Sequence, residues 1–237
     1  MNWSRAYVGI LLRFAMRAAE IEGVSMDTAL LRFTPFYLNL GLTHSFAPDD
    51  PTWQEFLAGY RDASEPVAWV HSFYLAHART SGESPYGCFS YAYEPDTRSI
   101  RFHFANRDTS GYGPLSDERL QARRRDLIAM FADTQREVPS ADAVRGRSWM
   151  YNLAAYRRLF PPEYAGAADP VVPEFQYMSL WGQFLDRHGE ARPGPTGSFL
   201  TRIAAATTVD ALTRSFPVPV RAPRCPVAHC YAFYGLD

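Results

Sequence analysis

The spacing of apolar residues switches from helical to alternating at Pro85, and that switch restricts the possible folds of this chain more than any other feature. Up to residue 80 the large apolar side chains recur at helical steps. Trp3, Tyr7, Ile10, Phe14 and Ile21 fall on one face of a helix closed by Gly23, and Ser25 can cap a second helix that Pro35 ends. Asp50-Pro51 supplies an N-cap followed by proline at the first helical position, ahead of the stripe Trp53, Phe56, Leu57 and Tyr60. Ser64-Glu65-Pro66 repeats that arrangement before Val67, Val70, Phe73 and Tyr74. From Pro85 the period drops to two. Residues 87–93 and 99–106 alternate around Glu94–Arg98, which predicts an antiparallel hairpin with Ile100, Phe102 and Phe104 on one face and Arg101 and His103 on the other.

Helices followed by strands predict an α+β fold. The expected architecture is a single domain with a mixed, mostly antiparallel sheet flanked by helices. Its parts are a helical N-terminal portion (1–80), an α+β core (85–190) and a C-terminal helix with strands (191–237). Within the core, Ser116 is placed to cap a helix of about twenty residues carrying Leu120, Leu127, Ile128 and Phe131. A strand is expected around Ala143–Met150, then a short helix over Leu153–Phe160. Phe175–Leu185 fits strand or helix by period, with strand preferred, and Arg192–Ser198 reads as a loop. A helix near Phe199–Phe216, broken around Thr207-Thr208, precedes two expected strands at Val218–Val220 and Val227–Tyr234.

Composition narrows the function. The formal charge of −1 arises from 24 basic and 25 acidic side chains, so no global field draws the protein to nucleic acid or anionic lipid. All the basic residues are arginines. Without lysine there is no Schiff base, no pyridoxal phosphate anchor and no Walker A lysine. Three cysteines make no disulfide framework, and the apolar stretch Ala6–Leu12 is too short to span a bilayer, so a cytoplasmic location is expected.

Several side-chain groupings invite a chemical reading. Cys225, His229 and Cys230 are soft ligands, but a closed zinc site needs a fourth, such as His188, and no metal is expected. Arg123-Arg124-Arg125 and Arg157-Arg158 point in different directions around a helix and read as solvated faces. His71 and His77 stand six apart and do not share a helix face. The loop Asp108-Thr-Ser-Gly111-Tyr-Gly113 precedes the long helix, where glycines let main-chain N–H groups converge on an anion.

The order strand, strand, glycine loop, long helix, strand, short helix, strand from Gly87 to Leu185 resembles the GNAT superfamily of N-acyltransferases, the likeness centring on residues 87–164. There a Q/R-x-x-G-x-G/A turn holds the pyrophosphate of coenzyme A. Gly111 and Gly113 have the matching spacing, but Asp108 stands at the first position, Arg107 is one residue early, and Pro114 removes a donor. Asn152-Leu-Ala-Ala155 is similar to the family's N-x-x-A segment. The resemblance implies acetyl-CoA or another acyl-CoA held by Arg107, Gly111, Tyr112, Gly113 and Asn152, with Tyr156 as acid to the departing thiolate. His103 is the best-placed base for a small-molecule or peptide amine. The alternative expectation is a non-catalytic α+β binding or regulatory module with a protein partner or a second copy of itself; neither reading involves nucleic acid or a membrane.

Overall fold

The computed structural model describes residues 3–78 and 83–236. Positions 1–2 and 79–80 of the expected helical portion lie outside the described residues. In chain order the helices are α1 (Arg5–Glu22), α2 (Met26–Phe33), α3 (Phe36–Asn39), α4 (Pro51–Asp62), α5 (Pro66–His77), α6 (Leu120–Glu137), α7 (Ala154–Arg157), α8 (Pro162–Gly166), α9 (Met178–Trp181), α10 (Pro193–Ala205), α11 (Val209–Arg214) and α12 (Val227–Tyr234). The strands are β1 (Phe89–Glu94), β2 (Ser99–Phe104), β3 (Ala143–Arg145) and β4 (Arg224–Pro226). This is an α+β fold. The elements gather into two compact units, each described by itself.

The helical unit takes the described residues up to 78 together with Pro173–Val218. Its helix ends follow local chemistry. Ser4 and Ser25 accept hydrogen bonds from Tyr7 N and Thr28 N, and Asp50 accepts from Thr52 N and Trp53 N ahead of Pro51. Gly23 closes α1 in the left-handed region at φ 64°, where a β-carbon would be strained. The core is aromatic. Phe14 meets Trp181 edge-on at 5.0 Å and lies 5.9 Å from Phe199 and 5.5 Å from Phe216, while Trp3 stacks on Tyr74 at 4.4 Å.

Two expectations in this unit are corrected. Phe175–Leu185 holds helix α9 and a 3-10 turn, Gly182–Phe184, instead of a strand. Leu180, Trp181 and Phe184 are all buried, and helical spacing aims the two rings at Phe14, Phe199 and Phe216, which period alone could not reveal. Arg192–Ser198 is the opening of α10, not a loop, because Pro193 and Pro195 sit in the first turn, where helix N–H groups lack intrahelical partners anyway. The break before α11 falls where expected, with Thr208 capping Ala211 N.

The sheet unit takes the described residues from 83 to Val172 and Pro219 to 236. Its four strands lie in the order β1-β2-β3-β4. The β1–β2 and β3–β4 pairs are antiparallel and β2–β3 is parallel, so the sheet is mixed and mostly antiparallel. A parallel pair needs a crossover, and α6 supplies it between β2 and β3. The hairpin turn is a 3-10 turn at Pro95–Thr97 followed by Arg98 at φ 46°. One sheet face carries Phe89, Ile100, Phe102, Val144 and Cys225, which join Leu127, Phe131, Phe160, Tyr164, Cys230 and Tyr234 in one buried cluster. The opposite face carries Ser90, Ala92, Glu94, Arg101, His103, Arg145 and Arg224 by the same pairing.

Here too the tail differs from expectation. The segment Val227–Tyr234 is helix α12, and the last strand is β4, not Val218–Val220. Val227, Cys230 and Tyr234 all enter the core, as helical spacing allows, and Phe131 stacks on Tyr234 at 5.1 Å. The strand expected over Ala143–Met150 is only three residues long and passes into a 3-10 turn, Trp149–Asn152. Gly146 lies in that passage, where a β-carbon would collide with the Tyr151 and Tyr164 hydroxyls. Ile128 is exposed on α6, and Arg123 is buried instead.

Candidate functional site

The loop before α6 is built around the carboxylate of Asp108, whose side chain is 0% exposed. One of its oxygens accepts the Ser110 N–H at 2.8 Å and the Ser110 hydroxyl. The other accepts Arg119 Nε at 2.5 Å and Arg123 Nη2 at 3.1 Å. Arg119 and Arg123 stand one helical turn apart, so both reach the same carboxylate. Burial alone pushes the Asp108 carboxyl up, but the Ser110 hydrogen bonds and Arg119 outweigh it and bring it down to about 2. Arg123, itself 4% exposed, also donates to the Cys88 sulfur and lies 3.3 Å from Asp126. Burial raises the Asp126 carboxyl, with Arg123 opposing.

This arrangement sets the glycine loop in a new light. The Tyr112 N–H points to Ser110 Oγ at 3.4 Å, and the Gly113 carbonyl accepts Ser116 N–H at 3.0 Å. Gly111 has φ 83°, which accounts for its glycine, and a β-carbon there would meet nothing within 4 Å. A β-carbon on Gly113 would reach only Ser116 Cβ, at 3.9 Å. The anion at which the loop donor Ser110 and both arginines converge is the protein's own carboxylate.

The other predicted residues disperse. Tyr156 is 2% exposed, packed edge-on to Tyr151 and Phe160 at 5.2 and 5.0 Å, and burial raises its hydroxyl well above the ordinary tyrosine range. Asn152 is a structural tie. Its amide donates to Trp149 O at 2.7 Å and Pro219 O at 2.8 Å, and its oxygen accepts Arg221 Nε at 2.7 Å. His103 is exposed on the polar sheet face, in register with Ser90. Arg107 sits between β2 and the loop, with its N–H directed at Cys88.

The structure does bring the loop's end and the Asn152–Arg158 segment side by side. An open cleft of about 560 Å³ has Leu115, Ser116, Asp117 and Glu118 on one wall and Ala154, Ala155 and Arg158 on the other. Arg158 spans it, donating to Leu115 O at 2.9 Å and pairing with Asp117. Among the described residues no group of three or more His, Cys, Asp and Glu side chains is placed to hold a metal ion. Cys225 and Cys230 are buried free thiols, whereas His229 is exposed. Among the described residues no helix is long and apolar enough to cross a membrane.

Comparison with family models, curated proteins and solved structures found no match to this chain. Two features escaped the sequence reading. The Asp108, Arg119 and Arg123 cluster was detectable as an Asp-x-Ser turn facing arginines four apart. The polar sheet face was detectable only for Arg101 and His103, since Arg145 and Arg224 reach it by pairings that span most of the unit.

Proposed function

We propose that this chain is a non-catalytic α+β binding module for a protein partner. The observation that carries the reading is the buried Asp108 carboxylate at the point where Ser110, Arg119 and Arg123 converge. A cofactor pyrophosphate brought there would find the Ser110 donors and both guanidiniums already engaged by the protein's own carboxylate, which stays ionised far below neutral pH. The buried Tyr156 and the hydrogen-bonded Asn152 support the same reading, since one is sealed in the core and the other's amide is engaged at both its nitrogen and its oxygen.

Acyl-CoA-dependent transfer to a small or peptidic amine is the second reading, favoured by the cleft between residues 115–118 and 154–158. Its Asp117 and Glu118 suit a cationic amine and oppose phosphate. The two readings separate in a thermal melt with acetyl-CoA. A ligand present at a hundred times its dissociation constant adds about 2.7 kcal/mol. The binding-module reading expects an unchanged melting temperature at millimolar acetyl-CoA, and a rise of several degrees overturns it.

A further inference from the structure

On the polar face of the sheet, Arg101, Arg145 and Arg224 are direct cross-strand partners on three adjacent strands. Neighbouring strands lie about 4.8 Å apart, so the three β-carbons form a row roughly 10 Å long. Like charges placed opposite one another destabilise a sheet. One carboxylate offsets them: Glu94 pairs with Arg101 at 3.1 Å and also with Arg145. The side chains of Arg101 and Arg145 remain 39% and 41% exposed. The Arg224 side chain is exposed and makes no ion pair or hydrogen bond among the described residues. The row therefore carries three guanidiniums against one carboxylate.

We propose that this row is a docking site for an extended acidic peptide segment of a protein partner, which rests on the binding-module reading. Glu94 demonstrates the geometry, since a carboxylate already bridges two adjacent guanidiniums, and the step from Arg145 to Arg224 lacks its equivalent. Carboxylates at alternate positions of an extended segment project to one side about 6.7 Å apart, within reach of long arginine arms fanned by mutual repulsion. Nucleic acid fits less well. The row is short, one of its charges is already neutralised, and the chain's net charge of −1 supplies no wider attraction.

The test is fluorescence anisotropy with the full chain and a labelled decapeptide alternating glutamate and serine, at low ionic strength. Saturable binding is expected, with no binding of the glutamine-serine counterpart. Arg224→Glu should weaken it by about tenfold or more, while the same charge reversal at exposed Arg13 on α1 leaves it unchanged. Absence of saturation up to about 1 mM, equal binding of the glutamine peptide, or equal loss in Arg13→Glu overturns the proposal. So does tighter, Arg224-dependent binding of inorganic tripolyphosphate, which would mark a phosphate site. A thermal shift by acetyl-CoA with peptide binding intact defeats the binding-module reading alone; an unchanged melt with no peptide binding defeats the arginine row alone.

Discussion

The helical unit and the sheet unit seal their interiors with the same material and differ in what else they bury. Around Phe14 the helical unit packs aromatic rings, and its buried polar side chains, Thr34, Gln183 and Ser215, are all neutral. The sheet unit packs aromatic rings on one face of its sheet but also encloses Asp108 and Arg123, and it lines up guanidiniums on the other face. Neutral polar groups cost little once hydrogen-bonded, whereas buried charges need matched partners. Among the described residues, buried charge is thus confined to the sheet unit.

The largest expected effect belongs to the helical unit. Trp181→Ala removes a ring in contact with Phe14, Phe184 and Phe216 and should cost about 3–5 kcal/mol in chemical denaturation. A loss below about 1 kcal/mol would show that this aromatic core is not what holds the unit together.

Arg123→Ala leaves Asp108 and Asp126 without a guanidinium they share, at a cost of about 3 kcal/mol. The pH dependence sharpens the same point. The folded Asp108 carboxyl is held at about 2, below its unfolded value of about 3.9, so its contribution is complete above pH 4 and is lost as pH falls towards 2. Acid titration of stability should therefore be flatter across that window in Asp108→Asn than in the parent. Identical slopes would mean that the cluster contributes nothing to acid sensitivity.

The smallest effects separate the two loop glycines. Gly111→Ala forces a β-carbon onto φ 83° and should cost about 1 kcal/mol, with no steric clash behind it. Gly113→Ala, with only Ser116 Cβ at 3.9 Å, should stay within about 0.5 kcal/mol. Comparable losses at both positions would point to a close backbone approach that the loop geometry does not require.

Legibility in the sequence followed the range of the interactions. The caps Ser25 and Asp50, the left-handed stop at Gly23 and the hairpin around Pro95 are decided within four residues, and they stand where local chemistry puts them. Short apolar runs were different. Phe175–Leu185 and Val227–Tyr234 carry too few residues for period to choose between strand and helix, and the choice falls to the partners that Trp181 and Tyr234 meet. The loop at 108–113 was recognisable as a turn with convergent donors, but not as one already filled, because Asp108 is met by Arg119 from the 3-10 turn Asp117–Arg119 and by Arg123 from α6.

By itself the sequence determined the α+β class, the helical first portion, the hairpin and the exclusion of lysine chemistry, since each depends on residue type and short spacing. Tertiary structure alone decided that β2 lies parallel to β3, that Tyr156 is sealed in the core, and that Arg101, Arg145 and Arg224 stand abreast. Strand pairing joins residues more than 40 or 70 positions apart, and no local preference encodes which carbonyl will meet which amide across that distance.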